Sequence, residues 1–219
     1  MTQVKICGIK EKAHALAATR AGVNFIGLVF APSQRQVSSA QAQEIVSIIK
    51  EHSKVTEVVG VFVNMPSPAI NRIVHACNLD WVQLSGDESW AYCQQINLPL
   101  IKAVRIRPGQ YPEEICSYLA TGDEALADQR HLYLLDSQVE GRYGGTGITS
   151  DWDLACEVAK RFPVIIAGGL TPKNVAQAIE IVRPWGVDVS SGVEMDGIKS
   201  IAKIKAFTSA VRRADASQR

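Results

Sequence analysis

The chain has almost no excess of charge of either sign. Its 219 residues include 23 lysines and arginines against 22 aspartates and glutamates, for a net charge of +1. Proteins that hold nucleic acid by charge carry a strongly basic domain or stripe, so this balance argues against nucleic acid as a partner. Hydrophobic residues make up 47% of the chain, which supplies a large core and excludes general disorder.

Long apolar runs and targeting segments are also lacking. No run approaches the ~18 consecutive apolar residues that indicate a membrane-spanning helix. The first ten residues, MTQVKICGIK, lack the charged region and the long apolar stretch of a secretory signal peptide. We therefore expect no membrane partner and a cytoplasmic location.

Cysteine is scarce and scattered. The five cysteines are Cys7, Cys77, Cys93, Cys116 and Cys156. They form no CxxC pair, and no cysteine and histidine have the spacing of metal ligands. We expect free thiols in the reducing cytoplasm, and neither a metal nor another cofactor.

Short apolar segments alternate with longer amphipathic ones along the whole chain. Strands are predicted at residues 3–7, 24–30, 57–63, 81–84, 100–104, 131–135, 163–167 and 187–189. Helices are predicted at residues 11–21, 38–51, 67–77, 88–96, 111–120, 153–161, 172–182 and 198–213. Strands that are apolar along most of their length are typical of a parallel sheet buried on both faces.

Eight strand–helix units in a chain of this length predict one α/β domain, a (β/α)8 TIM barrel over residues 1–213. The alternative is an open doubly wound sheet. That fold would carry a nucleotide-binding GxGxxG turn after its first strand, and the turn is absent. Residues 214–219, ADASQR, are expected to form a disordered tail.

Catalytic groups in such barrels lie at the carboxyl ends of the strands and on the loops that follow. This rule selects Cys7, Arg35, Asn64, Ser85, Arg105, Asp136, Gly168, Gly169, Ser190, Ser191 and Gly192. The segments AGGL after strand seven and SSG after strand eight stand where barrels often bind phosphate through backbone amides. The glycines of YGGTG, at 144, 145 and 147, could add further amides. Alternatively, the glycine pairs only form tight turns.

Cys7 and Asp136 are the titratable candidates at strand ends. Cys7 is either a small buried hydrophobic residue or a base that acts as thiolate. Lys5 either stabilises that thiolate or pairs with an inward carboxylate such as Asp188. Asp136 is either a turn residue or a carboxylic acid kept protonated by an apolar rim. Two such groups suit proton transfer on a small phosphorylated substrate, whereas a serine hydrolase would need a GxSxG motif and a histidine partner.

Motifs spread over nearly the whole chain resemble those of the phosphoribosylanthranilate isomerase family of tryptophan biosynthesis. They are KICGI (5–9), GLVF (27–30), PSQRQV (32–37), VGVFVN (59–64), VQLSG (82–86), LLDS (134–137), GGTG (144–147), AGGL (167–170) and GVDVSSGVE (186–194). The resemblance implies an Amadori rearrangement without metal or cofactor. N-(5-phosphoribosyl)anthranilate would become 1-(2-carboxyphenylamino)-1-deoxyribulose 5-phosphate.

The resemblance also implies roles for individual residues. Asp136 would be the general acid that opens the ribose ring, and Cys7 would be the general base that removes the proton from C2. Arg35 would bind the anthranilate carboxylate. The phosphate would bind the backbone around Gly145, Gly168, Gly169, Ser191 and Gly192. Whether the protein is a monomer or a homodimer stays open.

Two positions depart from the sequence that is usual in this family. The usual QLHG is QLSG here, so Ser85 replaces a histidine and keeps a hydrogen bond while losing the imidazole. The usual FDW after the sixth loop begins here with Ser150. We expect the first change to alter substrate contacts near strand four, and the second to alter the packing of that loop.

Two other functions stay open. A metal-dependent pentose-phosphate epimerase would place histidine and aspartate ligands at strand ends, and no histidine lies at one. A barrel that has lost catalysis and only binds a phosphorylated ligand would explain Ser85. The presence of both Cys7 and Asp136 argues against that alternative.

Overall fold

The computed structural model describes residues 1–107, 109–136 and 148–217. Eight parallel strands form a closed barrel in which each strand pairs with the next and the eighth pairs with the first. The strands are β1 (Gln3–Cys7), β2 (Phe25–Val29), β3 (Glu57–Phe62), β4 (Trp81–Leu84), β5 (Leu100–Arg105), β6 (His131–Asp136), β7 (Val164–Ala167) and β8 (Gly186–Val189). The predicted barrel is confirmed, and β1 has the predicted bounds.

Helices surround the barrel. They are α1 (Lys12–Arg20), α2 (Ser39–His52), α3 (Ser67–Cys77), α4 (Trp90–Cys93), α5 (Pro112–Ala125), α6 (Ile148–Ala159), α7 (Val175–Val182) and α8 (Ile201–Ser217). Helix α8 packs against both α7 and α1, which completes the outer ring. None of the described helices is long and apolar enough to cross a membrane.

Helix α1 is one residue shorter at each end than the sequence pattern predicted, and two other helices are shorter by more. Helix α4 is a single turn, because Glu88 and Ser89 belong to the preceding loop and Ser89 caps the helix by accepting from the Tyr92 amide. Helix α7 begins at Val175 and not at 172. The side chain of Asn174 accepts a hydrogen bond of 2.7 Å from the Thr171 amide and holds the preceding residues in a turn.

A small hairpin precedes α8, where the sequence predicted helix from residue 198. It consists of β9 (Glu194–Met195) and β10 (Ile198–Lys199), which pair antiparallel. Asp196 and Gly197 take positive φ angles of 51° and 77° between the two strands. Positive φ at both central residues is the geometry of a tight two-residue turn that matches the twist of its strands.

Helix α8 continues to Ser217, so residues 214–217 are helical, in contrast to the tail expected from 214 onward. Asp215 contributes to this extension. Its carboxylate accepts hydrogen bonds from the amide of Thr2 at 2.9 Å and from the Thr2 hydroxyl at 2.6 Å. These bonds tie the last turn of the helix to the chain just before β1.

The interior of the barrel is filled by side chains below its carboxyl end. Its apolar residues are Phe25, Val59, Trp81, Ile101, Leu132, Leu134, Ile165 and Ala167. The Phe25 ring meets Trp81 edge to face with ring centroids 5.8 Å apart, and the Arg130 guanidinium lies 4.5 Å from the centre of the Trp81 ring. Because this layer is packed, a small molecule would meet the polar side chains that lie at the carboxyl ends of the strands.

Candidate active site

The two titratable candidates lie on different sides of the barrel mouth. Cys7 is the last residue of β1 and Asp136 is the last residue of β6, with β7 and β8 between them in the barrel order. Asp136 is partly buried, and its backbone carbonyl accepts a hydrogen bond from the amide of Ile106. The structure therefore brings both residues to the same end of the barrel on non-adjacent strands.

The thiol of Cys7 is almost completely buried and lies over Gly27 of β2. A Cβ placed on Gly27 would be 2.9 Å from Cys7 Sγ and 3.3 Å from Lys5 Nζ. Only glycine leaves room for both groups at this point. Burial raises the pKa of the Cys7 thiol above its ordinary value, although the nearby charge of Lys5 acts to lower it. The thiol is consequently protonated at neutral pH.

Lys5 forms a buried ion pair with Asp188 of β8. The Lys5 ammonium lies 3.1 Å from the Asp188 carboxylate, and both side chains are at least nine-tenths buried. Burial opposes the charge on Lys5, yet the carboxylate and the neighbouring Cys7 raise the pKa of Lys5 overall. Lys5 therefore pairs with an inward carboxylate, as one hypothesis predicted. Its positive charge also lies beside the Cys7 thiol, as the other hypothesis requires.

Arg35, on the loop after β2, is held by Glu194. Its Nε donates to Glu194 Oε1 at 2.8 Å, and its Nη2 donates to Oε2 at 2.7 Å. The Arg35 side chain is about one-third exposed, whereas that of Glu194 is 7% exposed. The Arg35 side chain therefore stays partly exposed while a fixed carboxylate sets the plane of its guanidinium.

A second cation binds the same carboxylate. Lys199 Nζ lies 2.5 Å from Glu194 Oε1 and also donates to the Ser190 carbonyl at 2.9 Å. Despite the cost of burial, Arg35 and Lys199 lower the pKa of Glu194 to about 2. Sequence reasoning missed Glu194 and Lys199 as functional candidates. The only local signal was the position of the GVE segment directly after SSG.

The stem of Arg35 crosses the end of β1. A Cβ on Gly8 would lie 2.5 Å from Arg35 Cδ, and Gly8 has a φ of +78°. Both observations require glycine, because a side chain there would push the arginine away and strain the backbone. The KICG motif thus accommodates both the thiol and the arginine.

The loops after β7 and β8 pack directly against each other. A Cβ on Gly192 would lie only 1.8 Å from the carbonyl oxygen of Leu170. Gly168 and Gly169 have φ angles of +94° and +62°, and a Cβ on Gly169 would meet no atom within 4 Å among the described residues. Ser191 begins a short 3-10 turn, Ser191–Val193. The glycines therefore join the two loops, and the Cβ direction of Gly169 is open as far as the described residues extend.

Two features expected from the sequence lie outside the part of the chain that the structure describes. One is Gly145, expected near the phosphate, together with the other glycines of its segment. The other is the side chain of Ser150, expected to alter the packing of the sixth loop. Both expectations stay predictions.

Ser85 follows β4 and is held from within the barrel. Gln83 Nε2 donates to Ser85 Oγ at 3.0 Å, and the Ser85 amide donates to the carbonyl of Phe62 at 2.9 Å. Within the described residues, Gln83 Oε1 is buried and has no hydrogen-bond partner. Ser85, which the resemblance suggests replaces a histidine, thus forms a polar pair that the sequence did not predict.

A buried ion pair fixes the loop that carries Ser85. Lys102 of β5 lies 2.8 Å from the carboxylate of Glu88, and both side chains are almost fully buried. Glu88 also accepts from the amides of Asn64 and Gly86, at 2.8 and 2.9 Å. Asn64, a candidate from the sequence, therefore helps shape this loop with its backbone amide.

Comparison with known proteins identifies the group to which this site belongs. A family model for N-(5'-phosphoribosyl)anthranilate (PRA) isomerase matches residues 4–210. The N-(5'-phosphoribosyl)anthranilate isomerase of Dehalococcoides mccartyi is 43% identical over 218 residues, covering 100% of this chain and 99% of the relative.

Solved structures give the same result. Phosphoribosyl anthranilate isomerase from Thermotoga maritima matches with a TM-score of 0.80 and 36% identity, covering 99% of this chain and 100% of that chain. A phosphoribosyl anthranilate isomerase in complex with reduced 1-(o-carboxyphenylamino)-1-deoxyribulose 5-phosphate matches with a TM-score of 0.78 and 33% identity, over 97% of this chain and 100% of that chain. With its motifs, its closed barrel and its full-length relatives in agreement, the chain belongs to the N-(5'-phosphoribosyl)anthranilate isomerase family.

Proposed function

We propose that this protein converts N-(5-phosphoribosyl)anthranilate to 1-(2-carboxyphenylamino)-1-deoxyribulose 5-phosphate, a step of tryptophan biosynthesis in the cytoplasm. For a member of this family, one observation supports the proposal most directly. Cys7 and Asp136 end non-adjacent strands at the same mouth of the barrel. A base and an acid on separate sides of one small substrate are what this rearrangement needs.

Asp136 acts first in the proposed mechanism. Its carboxyl group protonates the ring oxygen of the ribose, so that the C1–O bond breaks and the nitrogen lone pair forms a C1=N Schiff base. The open chain now carries a positive charge next to C2. That charge acidifies the C2–H bond and prepares the second proton transfer.

Cys7 then removes the proton from C2. The electrons of the C2–H bond form a C1=C2 double bond, the Schiff base is neutralised, and the resulting enol tautomerises to the ketone. A thiol reacts as a base only as thiolate, and burial keeps the free Cys7 protonated by raising its pKa. The thiol therefore first releases its proton to solvent at the barrel mouth, and the cationic Schiff base and the charge of Lys5 favour the resulting thiolate when the substrate is in place.

Arg35 binds the carboxylate of the anthranilate ring. Glu194 occupies Nε and one N–H of Nη2, so the rest of the guanidinium remains to receive a second carboxylate. A planar group with fixed orientation suits bidentate recognition. The arginine therefore orients the aromatic end of the substrate.

The phosphate end binds between the loops after β7 and β8. The backbone at Gly168, Gly169, Ser191 and Gly192 supplies the amides, and Gly145 adds to them by resemblance to the family. The close contact of Gly192 with Leu170 brings the two loops together, which supports convergence of the amides on one anion. Ser85 replaces the imidazole near strand four with a hydroxyl held by Gln83.

Loss of substrate fluorescence tests the function. Phosphoribosylanthranilate is generated in solution and its fluorescence is followed after addition of the purified protein in EDTA. Turnover is expected without metal. Epimerisation of a pentose phosphate in the presence of a divalent metal, without loss of substrate fluorescence, would favour an epimerase-like barrel. Phosphate binding without any turnover would favour the alternative of a binding protein.

A further inference from the structure

Arg35 and Glu194 differ in how firmly the fold holds them. Arg35 lies on a loop and is about one-third exposed, while Glu194 is nearly buried in β9. Two parallel N–H···O bonds of 2.7 and 2.8 Å join them. Such a paired arrangement fixes both the position and the plane of a guanidinium, which a single bond does not.

Glu194 is itself anchored from the opposite strand of the hairpin. Lys199 is its register partner across β9 and β10, and the two side chains form an ion pair of 2.5 Å. Lys199 also donates to Ser190 O at 2.9 Å and to Ser190 Oγ at 3.2 Å. The carboxylate that holds the arginine is therefore tied to the segment that leads into Ser191 and Gly192.

The charges of Arg35, Lys199 and Glu194 do not cancel. Two cations share one carboxylate, so the group keeps one net positive charge at the mouth and still attracts an anion. Without Glu194, the two cations would repel each other and the arginine would lose its fixed plane.

We propose that Glu194 is a positioning residue, which holds Arg35 at a fixed place and angle to receive the carboxylate of the substrate. The proposal rests on the proposed function. Because the carboxylate of the substrate does not change during the reaction, this contact contributes equally in the ground state and the transition state. Loss of Glu194 should therefore raise KM and leave kcat nearly unchanged.

The experiment uses Glu194→Gln with two separate probes, anthranilate for the arginine and inorganic phosphate for the glycine loops. The expected result is a rise of about tenfold in the Kd of anthranilate and in KM, which corresponds to about 1.4 kcal/mol. The inhibition constant of phosphate should change less than twofold, because Lys199 keeps its bonds to Ser190. Glu57→Gln is the matched control, since it removes a carboxylate from an arginine pair at the amino end of the barrel.

A double-mutant cycle separates positioning from general support of the fold. In an Arg35→Ala background, Glu194→Gln should change KM less than twofold, because the group it positions is gone. An equal rise of KM in both backgrounds, or an equal weakening of phosphate and anthranilate, would overturn the proposal. If Glu194→Gln does not fold, Glu194→Asp keeps the charge but shortens the reach, and wild-type anthranilate affinity in that variant would also overturn it.

The two proposals fail in distinguishable ways. A wild-type protein that binds anthranilate through Arg35 but shows no turnover would refute the isomerase function and leave the role of Glu194 standing. Normal turnover combined with anthranilate binding that does not depend on Glu194 would refute only the positioning role.

Discussion

Cys7 and Lys5 place a thiol and an ammonium over the same glycine inside the barrel. A Cβ on Gly27 would meet Cys7 Sγ at 2.9 Å and Lys5 Nζ at 3.3 Å. The lysine is also paired with Asp188, so its charge is fixed in position. The thiol therefore sits where a developing negative charge on sulfur has a cationic neighbour.

The first prediction concerns the base. Cys7→Ser should abolish turnover with little loss of anthranilate binding, because a hydroxyl is far less acidic than a thiol. Steady-state fluorescence kinetics and anthranilate titration measure the two effects. Cys156→Ser, a cysteine on α6, is the control and should behave like wild type. Turnover of Cys7→Ser within tenfold of wild type would reject the role.

The second prediction concerns the acid. Asp136→Asn keeps the shape of the side chain but cannot donate a carboxyl proton, so kcat should fall by ~10²–10⁴. Asp128→Asn, at an exposed position before β6, is the control. A normal kcat with weakened binding alone would make Asp136 a residue that only positions the substrate.

The third prediction concerns the anion site. Phosphate should compete with substrate, and Gly192→Ala should raise its inhibition constant at least tenfold, since the new Cβ would force the loops after β7 and β8 apart. Gly197→Ala is the control. Gly197 has a φ of +77°, and a Cβ there would meet no atom within 4 Å among the described residues. An alanine at this position therefore adds only a left-handed strain of ~1–2 kcal/mol.

Two results would count against this anion site. One is unchanged phosphate inhibition in Gly192→Ala. The other is a ligand-bound structure whose phosphate lies away from the amides of Gly169 and Gly192.

The fourth prediction concerns Ser85. We expect a water to fill part of the space of the usual imidazole and to bridge to the substrate, at a cost of ~0–2 kcal/mol. Ser85→His should then change KM or kcat by roughly tenfold at most. An inactive wild type that gains several orders of magnitude in Ser85→His would show that the natural protein is not a working isomerase.

The fifth prediction concerns acid stability. The pKa of Glu194 is about 2 in the folded protein against an ordinary value of 4.5. A depressed pKa contributes stability that is fully present above 4.5 and is lost as the pH falls from 4.5 toward 2. Urea unfolding across that range should show a shallower loss for Glu194→Gln than for wild type or Glu57→Gln. Parallel pH profiles for all three proteins would contradict this.

The architecture of the barrel follows from local sequence alone. Alternating apolar and amphipathic segments predicted eight strand–helix units, and the bounds of β1 and α3 are as observed. In a parallel barrel every strand ends at the same face. The carboxyl-end positions of Cys7, Asp136 and the glycine loops followed from that rule.

The partners of the charged groups depend instead on the tertiary structure. The sequence predicts Asp188 as one possible partner of Lys5, but nothing in it predicts the pairing of Arg35 with Glu194, 159 residues apart, or of Thr2 with Asp215, 213 residues apart. Closure of the barrel sets Lys5 beside Asp188 in the register of β1 and β8. Local periodicity carries no information about such long-range register. The contact of Arg35 with Glu194 and that of Asp215 in α8 with Thr2 therefore form only when the two ends of the chain come together in the closed barrel.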